Sequence, residues 1–124
     1  IAQEAITNNP YLKKIVLNKE LETIELRGIA SCANVTEIVM TDSLKSVNSA
    51  FSKMFMLESL FIPKDCVLLG VNFMQCPKLI LSVDTANSNY TLENGVLFNK
   101  DKTTVIIVFF HIKHDQRNKT LFIF

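Results

Sequence analysis

Two histidines and three cysteines are the side chains in this chain with the chemistry to ligate a metal or act as nucleophiles. His111 and His114 stand three apart, a spacing that would put both imidazoles on one side of a helix, with Asp115 adjoining. Zinc needs three or four ligands in a closed set, and no cysteine or carboxylate falls in a familiar arrangement with this pair. A metal-dependent hydrolase built on His111 and His114 is therefore the remote reading. A solvated loop over residues 112–119 is the plain one. Cys32 and Cys76 hold the same position two repeats apart. Strands stacked about 4.8 Å apart would separate them by about 10 Å, beyond the roughly 7 Å that a disulfide spans between Cα atoms. Cys66 sits where other repeats place leucine. All three read as small buried hydrophobes, and without a C-x-x-C pair they do not suggest a metal site. No glycine-rich phosphate loop, G-x-S-x-G elbow or H-E-x-x-H helix occurs in the sequence. The expectation is a non-enzymatic chain with no catalytic residue, metal or cofactor.

Three segments carry the acceptor pattern for N-glycosylation: Asn34-Val-Thr36, Asn89-Tyr-Thr91 and Asn118-Lys-Thr120. Thirteen basic and twelve acidic residues give a net charge of +1, which lacks the electrostatic footprint of a nucleic-acid binder. The longest unbroken apolar run, residues 105–110, is far short of the roughly 20 residues a membrane-spanning helix needs.

These residues are positioned by a repeat. A short apolar phrase recurs every 22 to 23 residues, as Leu12-Lys-Lys-Ile15-Val-Leu17, Val35-Thr-Glu-Ile38-Val-Met40 and Leu57-Glu-Ser-Leu60-Phe-Ile62. Nine residues on from each start come Leu21, Leu44 or Cys66, and twelve on come Ile24, Val47 or Leu69. Ile29, Phe51 and Phe73 follow, then Cys32, Met54 and Cys76. A unit this short cannot bury its own apolar face, so copies must stack into one continuous core. The spacing divides the single domain into repeats near 1–11 (partial), 12–34, 35–56, 57–78 and 79–89 (partial), the last one residue short. Each opening phrase alternates and predicts a strand with Leu12, Ile15 and Leu17 inward. The segment around Phe51 predicts a tight helical or 3₁₀ turn whose aromatic closes the core. Asn94-Gly95 between apolar runs is a strong hairpin signal, and residues 90–110 read as an inserted three-stranded meander. Residues 120–124 look like the start of a further repeat, so the expectation is a fragment of a longer protein. Neither end shows a polar cap, and self-association through the ends is expected.

Leu57-Glu-Ser-Leu-Phe-Ile-Pro63 resembles the L-x-x-I-x-I-P strand of BspA-like leucine-rich repeats. Ser49-Ala-Phe-Ser-Lys-Met and Asn72-Phe-Met-Gln-Cys76-Pro-Lys-Leu79 resemble that family's A-F-x-x-C-x-x-L turn, with Asn9 and Met54 standing where it has cysteine. The phrase Asn89-Tyr-Thr-Leu-Glu-Asn-Gly-Val-Leu-Phe-Asn-Lys-Asp-Lys-Thr-Thr104 is similar to the hairpin that interrupts such repeats. The resemblance covers nearly the whole chain. It implies an α/β leucine-rich-repeat solenoid, horseshoe-like and β-dominated, with parallel strands on the concave side, short 3₁₀ or helical turns and an inserted β-hairpin meander. It also implies a cell-surface or secreted protein that adheres to host matrix or cell-surface proteins. An intracellular scaffold on the same repeats is the alternative, and a cytoplasmic location stays open.

Stacking the repeats lines up the outward strand positions. One column is Val16, Val39, Phe61 and Ser82, and beside it run Lys14, Glu37, Ser59 and Ile80. Outward positions are normally polar, so an apolar stripe flanked by charge is the candidate site for a protein partner.

Overall fold

The structure, a computed structural model, describes residues 1–108. The chain winds as a parallel β-solenoid whose turns feed three parallel sheets. The first stacks β2 (Lys14–Val16), β5 (Glu37–Val39), β8 (Ser59–Ile62) and β10 (Ile80–Val83). The second stacks β3 (Thr23–Ile24), β6 (Ser46–Asn48) and β9 (Val67–Leu69). The third stacks β1 (Ile6–Thr7), β4 (Ile29–Ala30) and β7 (Phe51–Ser52), and a bridge from Ser52 to Met74 extends it. Partners sit one repeat apart, so Lys14 faces Glu37, Thr23 faces Ser46 and Ile29 faces Phe51.

The third sheet departs from the expected helical turn. Among the described residues there is no helix, and parallel strands stack on three sides of the solenoid rather than one. The described fold is thus all-β, neither α/β nor the one-sided strand arrangement of a horseshoe. Single-residue corners explain the difference. Glu4, Arg27, Ser49 and Gly70 lead into the third side with φ of 56°, 51°, 43° and 69°. Asn8, Ser31, Lys53 and Gln75 lead out of it at 54°, 55°, 54° and 59°. A left-handed residue redirects the chain in one step, so the residues between two corners bond to the next turn and not to each other. The Phe73 N–H donates to the Phe51 carbonyl (2.8 Å) and that of Lys53 to the Met74 carbonyl (2.8 Å). Only one of these eight corners is glycine, although non-glycine residues pay about 1–2 kcal/mol for this conformation.

Apolar residues in register fill the interior. Ile24, Val47, Leu44, Cys66, Ile29, Phe51, Cys32 and Met54 are all buried in one cluster. Phe51 and Phe73 stack as parallel rings with centroids 5.8 Å apart. One expected inward residue is turned out: Val47 pairs with Leu68, and Leu69 lies exposed. The third turn drops a residue just after Cys66 and regains it before Phe73. Asn72 fills the irregularity that results. Its buried side chain accepts from the Ala50 N–H (2.8 Å) and donates to the carbonyls of Leu69 (3.0 Å) and Val47 (3.4 Å).

The meander forms as expected. Strands β11 (Tyr90–Glu93), β12 (Val96–Asn99) and β13 (Val105–Val108) pair antiparallel in that order. Asn94 and Gly95 both have positive φ, 50° and 76°, as a type I′ turn requires. Tyr90 and Leu97 join the solenoid core. The Tyr90 hydroxyl accepts from the Leu68 N–H (2.7 Å), beside β9 where a further strand of that sheet would lie. The expected loop at 112–119 and the strand start at 120–124 lie outside the described residues.

Candidate protein-binding face

The outward columns of the first sheet fall where alternation places them. Lys14, Glu37, Ser59 and Ile80 form one continuous lane across four strands. Val16 pairs with Val39 and Phe61 with Ser82, and the Glu37–Ser59 pairing sets Val39 and Phe61 in neighbouring strands. Between them point Ile15, Ile38, Leu60 and Leu81, all buried. Val16 is 66%, Phe61 41% and Ile80 53% exposed, so four strands present an apolar ladder to solvent on a surface whose other side is core. Strand pairing and buried alternate side chains hold this ladder rigid, which lowers the ordering cost of binding.

The charge on the face is internally balanced. Lys14 Nζ lies 3.0 Å from a Glu37 carboxylate oxygen, with both side chains about half exposed; such a pair contributes about 0–1 kcal/mol. Two further ion pairs join consecutive turns, Arg27 with Glu4 (2.8 Å) and Lys45 with Glu22 (2.7 Å). Of these pairs only Lys14–Glu37 lies on the face; the other two border the third and second sheets. Tyr11 and Phe55, in the corners leading into β2 and β8, add exposed rings that strand alternation did not reveal. A second exposed apolar group, Leu69, Val71 and Met74, lies on the third turn. The exposure of Leu69 and Val71 follows from the register change around Asn72, which no periodicity in the sequence signals, whereas Met74 is back in the regular register opposite Ser52.

The remaining candidates are dispersed. Cys32, Cys66 and Cys76 are buried and unpaired. Desolvation pushes the Cys66 thiol up to about 12. It also raises Cys76, partly opposed by a hydrogen bond with the Met54 backbone. Neither thiol is poised as a nucleophile. Asp101 is held below the usual carboxylate range, first by the Thr103 hydroxyl at 2.7 Å and then by the Thr103 N–H. Both groups belong to the β12–β13 turn. No group of three His, Cys, Asp or Glu residues suited to a metal occurs among the described residues, and His111, His114 and Asn118 lie outside them. The Asn34 side chain is tied to the preceding turn by Nδ2 donating to the Pro10 carbonyl (2.7 Å), whereas Asn89 borders an open hollow between the last turn and the meander. No helix of the described residues is long and apolar enough to cross a membrane.

No protein-family model, curated protein or solved structure matches the chain. The face is a half-apolar sheet in which the Lys14–Glu37 ion pair borders the exposed Val16, Val39 and Phe61.

Proposed function

We propose that this chain is a non-enzymatic interaction module that binds a protein partner through the β2–β5–β8–β10 face. Val16, Val39, Phe61 and Ile80 supply the apolar contact, and Lys14, Glu37 and Ser59 set its specificity. The observation that carries the reading is the exposed ladder itself, because outward positions of a solvated sheet are ordinarily polar and contiguous apolar area marks contact sites. The BspA-like resemblance of the repeat and hairpin phrases supports a cell-surface or secreted protein whose partner is a host matrix or cell-surface protein.

An intracellular scaffold using the same face is the second reading. Three buried, unpaired cysteines favour it, since free thiols persist in reducing compartments. The two readings share the contact surface and differ in compartment.

Binding to immobilised, purified matrix and cell-surface proteins tests the proposal, with Phe61→Asp compared against the native chain. A charge in the middle of the ladder should abolish capture while circular dichroism stays unchanged. Equal capture by both proteins would move the contact off this face.

A further inference from the structure

We propose that Asn89 carries an N-linked glycan when the chain passes through a glycosylating compartment, and that the folded solenoid accommodates a glycan there more readily than at Asn34. The inference rests on the surface-protein reading for its biological setting, but its structural content is independent of any partner. Glycosylation joins the Asn Nδ2 to the anomeric carbon of a lipid-linked oligosaccharide pyrophosphate. The C–N bond forms as the C–O bond to pyrophosphate breaks, and one amide proton leaves with the displaced lipid pyrophosphate. Transfer occurs on the chain before it folds, so the folded structure decides which sugar can be accommodated.

Both sequons have threonine at the third position, and their surroundings differ. At Asn34, Nδ2 donates to the Pro10 carbonyl of the previous turn at 2.7 Å. The Thr36 hydroxyl reaches the Lys13 carbonyl at 3.4 Å, and Val35 between them is fully buried. A glycosylated amide keeps one N–H that can still donate to Pro10, so a sugar on Asn34 must lie along the seam that this contact closes between two turns. At Asn89 the backbone is fixed while the side chain is not. Its N–H donates to the Asn87 side-chain oxygen (2.7 Å), and Asn87 is buried and anchored to the carbonyls of Pro63 (2.8 Å) and Cys66 (3.2 Å). Tyr90 is buried, and the Thr91 hydroxyl donates to the Lys100 carbonyl at 3.1 Å. Among the described residues, no hydrogen bond engages the Asn89 side-chain amide. It borders an open hollow whose other walls are Ser88, Asn99, Lys100 and Asp101, polar groups that suit sugar hydroxyls.

The test is secretion of the chain from a eukaryotic host in an Asn118→Gln background, with Asn34→Gln and Asn89→Gln added singly. Site occupancy is read by peptide mass and melting temperature before and after enzymatic removal of the glycan. We expect folded, secreted protein to be occupied at Asn89, with a melting temperature that glycan removal leaves unchanged. Chains occupied at Asn34 should be secreted poorly and should melt higher once the glycan is removed. Unmodified Asn89 in secreted protein would overturn the proposal, as would a well-folded chain occupied at Asn34 whose melting is indifferent to glycan removal. A native protein found only in cytosol would sink the surface reading without touching this result, because the host supplies the compartment.

Discussion

Phe51 and Phe73 meet ring on ring across two turns. Phe51→Ala should cost about 3–5 kcal/mol in denaturant unfolding, since the cavity falls inside a close-packed stack; a loss well under that would mean the turns do not share this contact. Asn72 does a different job, supplying one acceptor and two donors to backbone groups that the irregular third turn leaves without strand partners. Asn72→Leu should cost about 1–3 kcal/mol for each buried group it strands, measurable by the same unfolding curve. Cys66 links burial to pH. Its thiol is raised from 9.0 to about 12 by desolvation, so between those values the unfolded chain has lost a proton that the folded chain keeps. The unfolded state binds fewer protons there, and stability falls as pH rises from about 9 to 12. Cys66→Ala should make that fall shallower, and an unchanged alkaline slope would show that the thiol is not buried in solution.

At the scale of elements, the strands that alternate were readable from sequence and the corners were not. The β2, β5 and β8 phrases advertise themselves because apolar residues recur in register and every second side chain must face the core. The third sheet gave no such sign: its corners are held at positive φ by Arg27, Ser49, Ser31 and Lys53, where glycine or asparagine would have marked them. A segment bounded by ordinary residues and bearing an aromatic reads as a helical turn, and only pairing with the adjacent turn makes it a strand. Leu69 was misplaced for a related reason, since a lost residue after Cys66 and a gained one before Phe73 cancel in the repeat length. The candidate face was legible because it depends on alternation alone, while the exposed Leu69 and Val71 depend on the register change. Gly70 tests the corner geometry: a Cβ there would collide with the Ser49 side-chain oxygen at positive φ, so Gly70→Ala should destabilise the third turn. Gly95→Val should disrupt the meander through its φ of 76°, while amides of the first two turns keep their hydrogen-exchange protection. Uniform loss of protection would contradict the independence of the two parts.

The whole molecule is a stack in which each turn is stabilised by its neighbours through three ladders of backbone hydrogen bonds and one continuous core. The proposed contact uses what such a stack leaves outside. Three sides carry parallel strands, but the β2–β5–β8–β10 side has the longest run of paired strands and turns Val16, Val39, Phe61 and Ile80 to solvent. A net charge of +1 and the paired Lys14 and Glu37 leave little electrostatic steering, so association should be slow by the standards of charged partners and weakly dependent on salt. A binding rate that drops steeply between low and high salt would point to a charged surface elsewhere. The most direct measurement is hydroxyl-radical footprinting of the chain alone and in complex with a captured matrix or cell-surface protein. Val16, Val39 and Phe61 should oxidise readily in the free chain and be shielded in the complex, with Leu69, Val71 and Met74 unchanged. Shielding confined to Leu69, Val71 and Met74, with Phe61 oxidised equally in both states, would contradict the assignment of the face.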